Sequence, residues 1–545
     1  MSDFFQAGPA LGNQYVDDAL LRAYLRRTLP ADVLAELEPD FQRFGERVAT
    51  DILAFGEAAE SQPPRHVPFD AWGRRVDAIE TSDAWRALDR VAATEGLVAI
   101  GYERRHGALS RVDQFVRMYL FGPSSATYNC PLAMSDGAAR ALELYGSDEL
   151  CTRALTRLTS RDPGRFWTSG QWMTERAGGS DVSETATVAR CENGAFRLYG
   201  TKWFTSATTA QMAMTLARIE GAPAGSRGLS LFFVELHDAE GRLRNIRVNR
   251  LKDKLGTRAL PTAELALEGT PAELVGGEGD GVRKIAALFN ITRIHNACAA
   301  VAGMRRAIAL AEDYARKRVV FGRLLADQPL HRETLAELRT EHAAALLLVF
   351  HVVELLGRSE CGGASTEELA LLRLLTPIAK LYTGKQAVAV ASEVLEAFGG
   401  AGYIEDTGLP RLLRDAQVLS IWEGTTNVLS LDVLRAIEKD GAFAPFMAAV
   451  EERLDRVRTP SLSTLVDRVR ASGQRLAVYH SDSATRDRDA EQAGARAFAY
   501  GLARTYMASL LLDHADWSVD VEGDDAPIRM AERWCARELV PRLIQ

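Results

Sequence analysis

The 545-residue chain has few cysteines, at positions 130, 151, 191, 298, 361 and 535, and none forms a Cys-x-x-Cys pair. This removes the usual spacing of a structural zinc site or a dithiol motif. The expectation is of reduced thiols in a cytoplasmic protein with no metal site. Lysine is scarce and arginine abundant, which reads as a bias of the source genome. There is no excess of positive charge. The formal net charge is -8 at pH 7, so no general attraction to nucleic acid or to an anionic membrane is implied. No apolar run reaches the length of a membrane span, so no membrane association is expected. The start, MSDFFQAGPALGNQ, lacks the basic flank and apolar core of a signal peptide, and its acids disfavour a transit peptide. The end, RLIQ, is not a peroxisomal address. No internal repeat has a solenoid period.

With 47% hydrophobic and 25% charged residues, the composition is that of an ordinary soluble globular protein. The length predicts about three or four domains. Residues 1–165 carry apolar residues at three- and four-residue spacing, as in DDALLRAYLRRTLPADVLAELEPDF, with Pro30 as a breaker. Residues 166–280 change character: FRLYG, KWFTSA, MAMTLARI, GLSLFFVEL, RNIRVNRL and TAELALEG are short runs of β type between turn signals. They predict a compact antiparallel β domain. In 281–440 the helical period returns, and ALLLVFHVVELLG is apolar almost all round, as for a helix buried on several sides. Four such helices suggest a bundle. Residues 441–545 add a further helical piece, with a polar stretch at HSDSATRDRD. The expected fold is α+β multidomain: an N-terminal helical domain, a central antiparallel β domain, a four-helix bundle and an extra C-terminal helical domain. A cofactor is expected near the junctions, where pockets form.

Five stretches carry chemistry. In MTERAGGSDV (173–182), Gly178 and Gly179 permit close backbone approach to a ligand, while Thr174 and Ser180 offer hydrogen bonds; a plain β-turn would satisfy the same residues. In KWFTS (202–206), strand alternation sends Trp203 and Phe204 to opposite faces, so one could flank a planar ring, and Ser206 shares a face with Phe204. YARKRVVFG (314–322), with Asp327-Gln328-Pro329 beyond it, ends a helix in cations. These are either dipole partners or an arginine reaching a pyrophosphate. FGGAGY (398–403) is either a helix cap or a place where a nucleotide packs on backbone. In SIWEGTTNV (420–428), Glu423 stands between a large aromatic and a glycine, a setting for a partly desolvated base.

The order and spacing of these stretches resemble the acyl-CoA dehydrogenase family of flavoproteins. TERAGGSD resembles that family's first signature and RDAQVLSIWEGTTNVLSLDVLR its second, with KLGTRALPTAEL, RVVFG, DQPL and EAFGGAGY between them in family order. NQYVDDAL, QPPRHVPFDAWGRRVD, YGTKWFTS and RLKDKLGTR, with the added C-terminal helices, are closer still to the AidB-type adaptive-response branch.

The resemblance implies FAD as cofactor and α,β-dehydrogenation of an acyl-CoA thioester. A carboxylate takes the α proton while a hydride passes to flavin N5. Hydrogen bonds from the amide at the catalytic glutamate and from a flavin ribityl hydroxyl stabilise the developing enolate. Glu423 matches the catalytic base. Trp422 would wall the site, and Gly424 would let backbone pass the flavin and substrate. Some members carry the base on a bundle helix just before an arginine; here that position is Thr292, before Arg293, and threonine cannot serve. Met173, Thr174, Gly179, Ser180, Phe204, Ser206, Trp422, Thr425 and Asn427 match flavin-contacting positions. Arg318, Gln328, Gly399 and Gly400 match contacts to the ADP portion, made from a neighbouring subunit, and Phe321 matches a further cofactor-binding position. This implies a homotetramer, a dimer of dimers. Arg293 matches an acyl-CoA contact, and Ser180, Glu423 and Gly424 are also expected near substrate. Glu396 departs from the family's common glutamine. The default electron acceptor is an electron-transfer flavoprotein.

The competing reading is an alkylation-response flavoprotein that associates with DNA and turns over little. It needs a basic surface. Residues 451–545 hold 14 Arg and no Lys against 16 acidic residues, with no dominant basic run, which disfavours DNA.

Overall fold

The computed structural model describes residues 6–482 and 487–542. Part of the MSDFFQ start, part of the HSDSATRDRD stretch and the final LIQ therefore lie outside the described residues. The chain divides into two compact units. One comprises 50–105 and 121–295; the other comprises 1–49, 106–120 and 296–545.

The 50–295 unit contains the β structure. A hairpin of β1 (Arg65–Phe69) and β2 (Arg75–Glu80) comes first. The main sheet is built from β3 (Ser169–Trp172), β4 (Val188–Glu192), β5 (Ala195–Ser206), β6 (Met212–Ile219), β7 (Leu229–Glu235), β8 (Ile246–Leu251) and β9 (Thr262–Val275). Pairing runs β6–β4–β5–β9–β7 and back to β6, so five strands close on themselves; β3 joins β6 and β8 joins β9. Closure pairs each of these five strands on both sides, while β3 and β8 pair on one side only. Most pairings are antiparallel as expected, but β6 runs parallel to both β3 and β4. Parallel neighbours need crossover connections, which is why a reading based on consecutive short runs and turns misses them. The helix Asn129–Tyr145 lays Ala138 and Leu142 on a core with Met212, Met214, Leu216 and Phe233.

Among its described residues, the other unit has helices and one short hairpin, β10 (Val319–Val320) and β11 (Arg323–Leu324). Its long helices are Pro329–Glu360, Thr366–Ala397 and Arg488–Trp517, joined by Leu409–Leu419 and Thr426–Asp440. The helix Gly281–Ala315 runs through the division between the units. Pro329–Glu360 is buried along its centre, from Thr340 to Phe350, which accounts for its all-round apolar sequence. The expectation that nothing is long and apolar enough to span a membrane needs correction on this point. Gly281–Ala315 and Pro329–Glu360 both have the length and hydropathy, yet 67% and 89% of their most apolar windows are buried inside the protein. Their apolar character serves the core.

Candidate active site

In the 50–295 unit, the first signature leaves β3 at Met173. Its Glu175 is buried and bound by Lys202 Nζ at 2.8 Å, by the Ala186 amide at 2.7 Å and by Thr187 Oγ1 at 2.5 Å. Lys202 is itself fully buried and also donates to the Leu216 carbonyl at 3.1 Å. The Trp203 amide donates to the Thr174 carbonyl at 3.0 Å. Two motifs thirty residues apart in sequence are thereby laid side by side. Met173 is buried and Thr174 half-buried, while Gly179 and Ser180 are exposed on the loop.

Phe204 is 56% exposed, although it sits in a long internal strand. The expectation that Trp203 faces away from it is overturned. The β5–β9 register shifts between Lys202 and Thr205, so alternation breaks there. The Trp203 and Phe204 rings meet edge-to-face at 6.4 Å, and Lys252 Nζ lies 3.7 Å from one ring centroid and 4.7 Å from the other. Lys252 is held in turn by Glu264 at 2.6 Å. Ser206 Oγ lies 3.1 Å from Thr262 Oγ1. Phe204 offers an exposed aromatic ring, and Thr174 and Ser206 carry hydroxyls on the two segments joined here, so these residues fit a flavin. Thr292 is buried, with its hydroxyl donating to the Phe289 carbonyl at 3.1 Å, and Arg293 beside it is half-buried.

In the helical unit, Glu423 lies in the turn between helices Leu409–Leu419 and Thr426–Asp440. It is half-buried and left-handed at φ 58°, followed by Gly424 at φ 105°. Left-handed backbone is uncommon for a residue with a side chain and marks functional turns. Trp422 Nε1 donates to Asn296 Oδ1, and Asn296 Nδ2 donates to the Leu419 carbonyl at 3.0 Å. Lys380 Nζ donates to the Gly424 carbonyl at 2.5 Å. Thr425 caps the following helix through Val428, with Asn427 exposed in its first turn.

The positions expected to contact ADP also gather in this unit. The Tyr314 and Phe398 rings meet at a tilt of 39°, 4.7 Å apart, bringing together the helix ends that carry Arg318 and Gly399–Gly400. Gln328 Nε2 donates to the Val320 carbonyl at 2.9 Å, and Arg318 Nη1 donates to Gln6 Oε1 at 3.1 Å. Phe321, at the hairpin tip, is 98% exposed, and Glu396 is exposed. Sequence reasoning missed Lys380, Asn296, Lys252 and Lys202. The available signal was a lysine retained inside strongly apolar or aromatic contexts such as LLTPIAKLYT and YGTKWF, in a chain with only eight lysines.

Family models match almost end to end. The acyl-CoA dehydrogenase middle domain matches residues 170–270 and the acyl-CoA dehydrogenase C-terminal domain 279–438. The adaptive response protein AidB N-terminal domain matches 9–163, and an acyl-CoA dehydrogenase 11 C-terminal domain-like model matches 441–544. Acyl-CoA dehydrogenase family member 11 of Caenorhabditis elegans is 46% identical over 98% of this chain and 89% of its own length. The chain belongs to the acyl-CoA dehydrogenase family. FAD is the cofactor of that family. Putative acyl-CoA dehydrogenase AidB of Escherichia coli is 34% identical over 78% of each chain. The crystal structure of C. elegans ACDH-11 in complex with C11-CoA superposes with a TM-score of 0.95 at 45% identity, over 99% of this chain and 94% of that one. The apo-form of Bd2924 gives a TM-score of 0.88 at 52% identity, over 94% and 100%.

Proposed function

We propose that the protein is an FAD-dependent acyl-CoA dehydrogenase in which Glu423 is the base that removes the α proton of an acyl-CoA thioester. The observation that carries this reading is the conformation of Glu423. A half-buried carboxylate is held left-handed between an anchored indole and a glycine. A merely solvated glutamate has no need of such a backbone. The position where some members carry the base is occupied by Thr292, whose hydroxyl is already donated to the Phe289 carbonyl. Trp422 limits water at the carboxylate, and Phe204 with Thr174 and Ser206 gives the flavin ring a face and polar contacts. When bound, FAD supplies the hydride acceptor. Arg293 contributes to holding acyl-CoA. That a close relative was crystallised with C11-CoA supports the ligand class.

The wider reading is a cytoplasmic homotetramer that passes electrons to an electron-transfer flavoprotein. Exposed Phe321 and Tyr403 (98% and 89%) support association, because large aromatics at a surface favour burial against a neighbour. We also propose four domains, 1–165, 166–280, 281–440 and 441–545, supported by the spans of the matching family models. The DNA-associated alternative gains no support from the C-terminal arginines. Arg470 is paired with Glu451 and Asp455, Arg533 with Glu333, and Arg537 with Glu337 and Glu341.

The test is Glu423→Gln in FAD-loaded protein. The amide is nearly isosteric and cannot accept the proton, so anaerobic flavin bleaching by a good acyl-CoA should slow by at least about a hundredfold, within the range of general-base loss. FAD content should be unchanged. Bleaching at the wild-type rate would remove Glu423 from the role.

A further inference from the structure

The turn that carries Glu423 is gripped by two buried polar side chains from helices far away in sequence. Asn296, 5% exposed, lies on Gly281–Ala315; Lys380, 1% exposed, lies on Thr366–Ala397. The Asn296 amide is used at both ends. Its nitrogen donates to the Leu419 carbonyl at 3.0 Å and its oxygen accepts from Trp422 Nε1. Lys380 Nζ donates to the Gly424 carbonyl at 2.5 Å. One turn along from Lys380, Gly384 lets the helix press on the same loop: a Cβ there would stand 2.6 Å from the Leu419 oxygen. The grips fall at 419, 422 and 424, on both sides of Glu423.

This arrangement answers a physical need. A residue with a Cβ at φ 58° persists only where its surroundings over-determine it. The helix ends on either side do not fix it, since a turn of this length has other conformations open to it. The indole bond also sets the plane of Trp422, the residue directly before the carboxylate. We propose that Asn296 and Lys380 are positioning residues for proton abstraction: they touch no reacting atom, and they act by holding the backbone on either side of Glu423. This inference rests on the reading of Glu423 as the base.

The experiment uses FAD-loaded Asn296→Leu and Lys380→Met, with Trp422→Phe as a variant that deletes the indole N–H contact and part of the ring while keeping an aromatic side chain. Three quantities are read: hydrogen–deuterium exchange of the 419–425 segment, the anaerobic rate of flavin bleaching by acyl-CoA, and affinity for a non-oxidisable acyl-CoA analogue. The expected result is faster exchange in the segment, with FAD content and analogue affinity retained. Bleaching should slow by about 10- to 100-fold, as for a reacting group displaced by about 1 Å. Combined with Glu423→Gln, Asn296→Leu should slow bleaching no further, because both act through one carboxylate; a general structural defect would add its full loss. Wild-type exchange and bleaching in all three variants, or full additivity with Glu423→Gln, would overturn the positioning role while leaving Glu423 as base. A wild-type protein that no acyl-CoA bleaches would overturn the function and the positioning role together, whatever the exchange shows.

Discussion

Two loops of this protein carry its signatures, and each is fastened by a buried lysine in a different way. The first signature spends its own carboxylate on the fastening, since Glu175 is buried against Lys202 and the amides and hydroxyl of 186–187. The second is gripped through backbone carbonyls and an indole, by Lys380 and Asn296, at positions flanking its carboxylate. The difference fits the roles proposed for the two loops. A loop that only presents backbone and hydroxyls to a ring can use an acidic side chain as an internal bolt. A loop whose acid does chemistry is better held by groups around that acid.

The sharpest way to break the comparison is Lys202→Met. It removes one partner of a buried pair and strands the other, a loss of about 3–5 kcal/mol near neutral pH. The sign of its pH dependence is fixed. Burial works to raise the Glu175 carboxyl, but the Lys202 charge and the hydrogen bonds from Thr187 and Ala186 outweigh it and hold the group below its usual range. Burial also pulls the Lys202 ammonium down. In the wild type, stability from Glu175 is present above the ordinary glutamate range and is lost as pH falls through the lowered folded value. In the variant burial is opposed only by the hydrogen bonds from Thr187 and Ala186, so Glu175 takes up a proton at higher pH than in the wild type. The deficit against wild type should therefore be largest at neutral pH and shrink as the solution is acidified. Chemical denaturation at a series of pH values checks this, and a deficit constant with pH would refute it. FAD should be retained less well, because the loop that carries Thr174 and Ser180 loses its bolt.

A second, smaller effect sharpens the same contrast. Glu175→Leu combined with Lys202→Met replaces both members of the pair by apolar groups, which is often near neutral in stability. The double variant should recover most of what Lys202→Met loses. If both fall equally, the damage comes from packing and not from the stranded carboxylate.

The sequence made the site legible at the level of motifs. Glu423, Trp422 and Gly424 are contiguous, and a carboxylate between an aromatic and a glycine is readable without coordinates. The helix-rich and strand-rich segments were legible from periodicity. What was not legible depends on long-range geometry. Asn296 and Lys380 reach the 419–424 turn from more than forty residues away, and nothing local to them announces the partner. Trp203 and Phe204 obey strand alternation only if the strand is regular, and a register shift lies between its ends. The parallel pairings of β6 arise the same way, from strands that meet without being neighbours in sequence.

The smallest expected effect comes from a lysine-free anchor at the surface. Arg533 donates to Glu333 and, at 3.1 Å, to Glu337, fastening helix Ala526–Ala536 to Pro329–Glu360. These bonds raise the guanidinium above its usual range, with Glu333 the largest cause and Glu337 next. Yet the side chains remain open to solvent, at 30% for Arg533 and 57% for Glu333. Water and salt screen such a pair, and holding two long side chains in one geometry costs rotamer freedom. Arg533→Ala should therefore leave the unfolding midpoint close to wild type, with whatever difference exists fading as salt is added. Lys202→Met has the same count of lost charges but should keep its deficit in salt, because its pair is dry. A large, salt-resistant loss from Arg533→Ala would show that burial is not what separates the two anchors, and that the extra helical region is bolted on as firmly as the first signature.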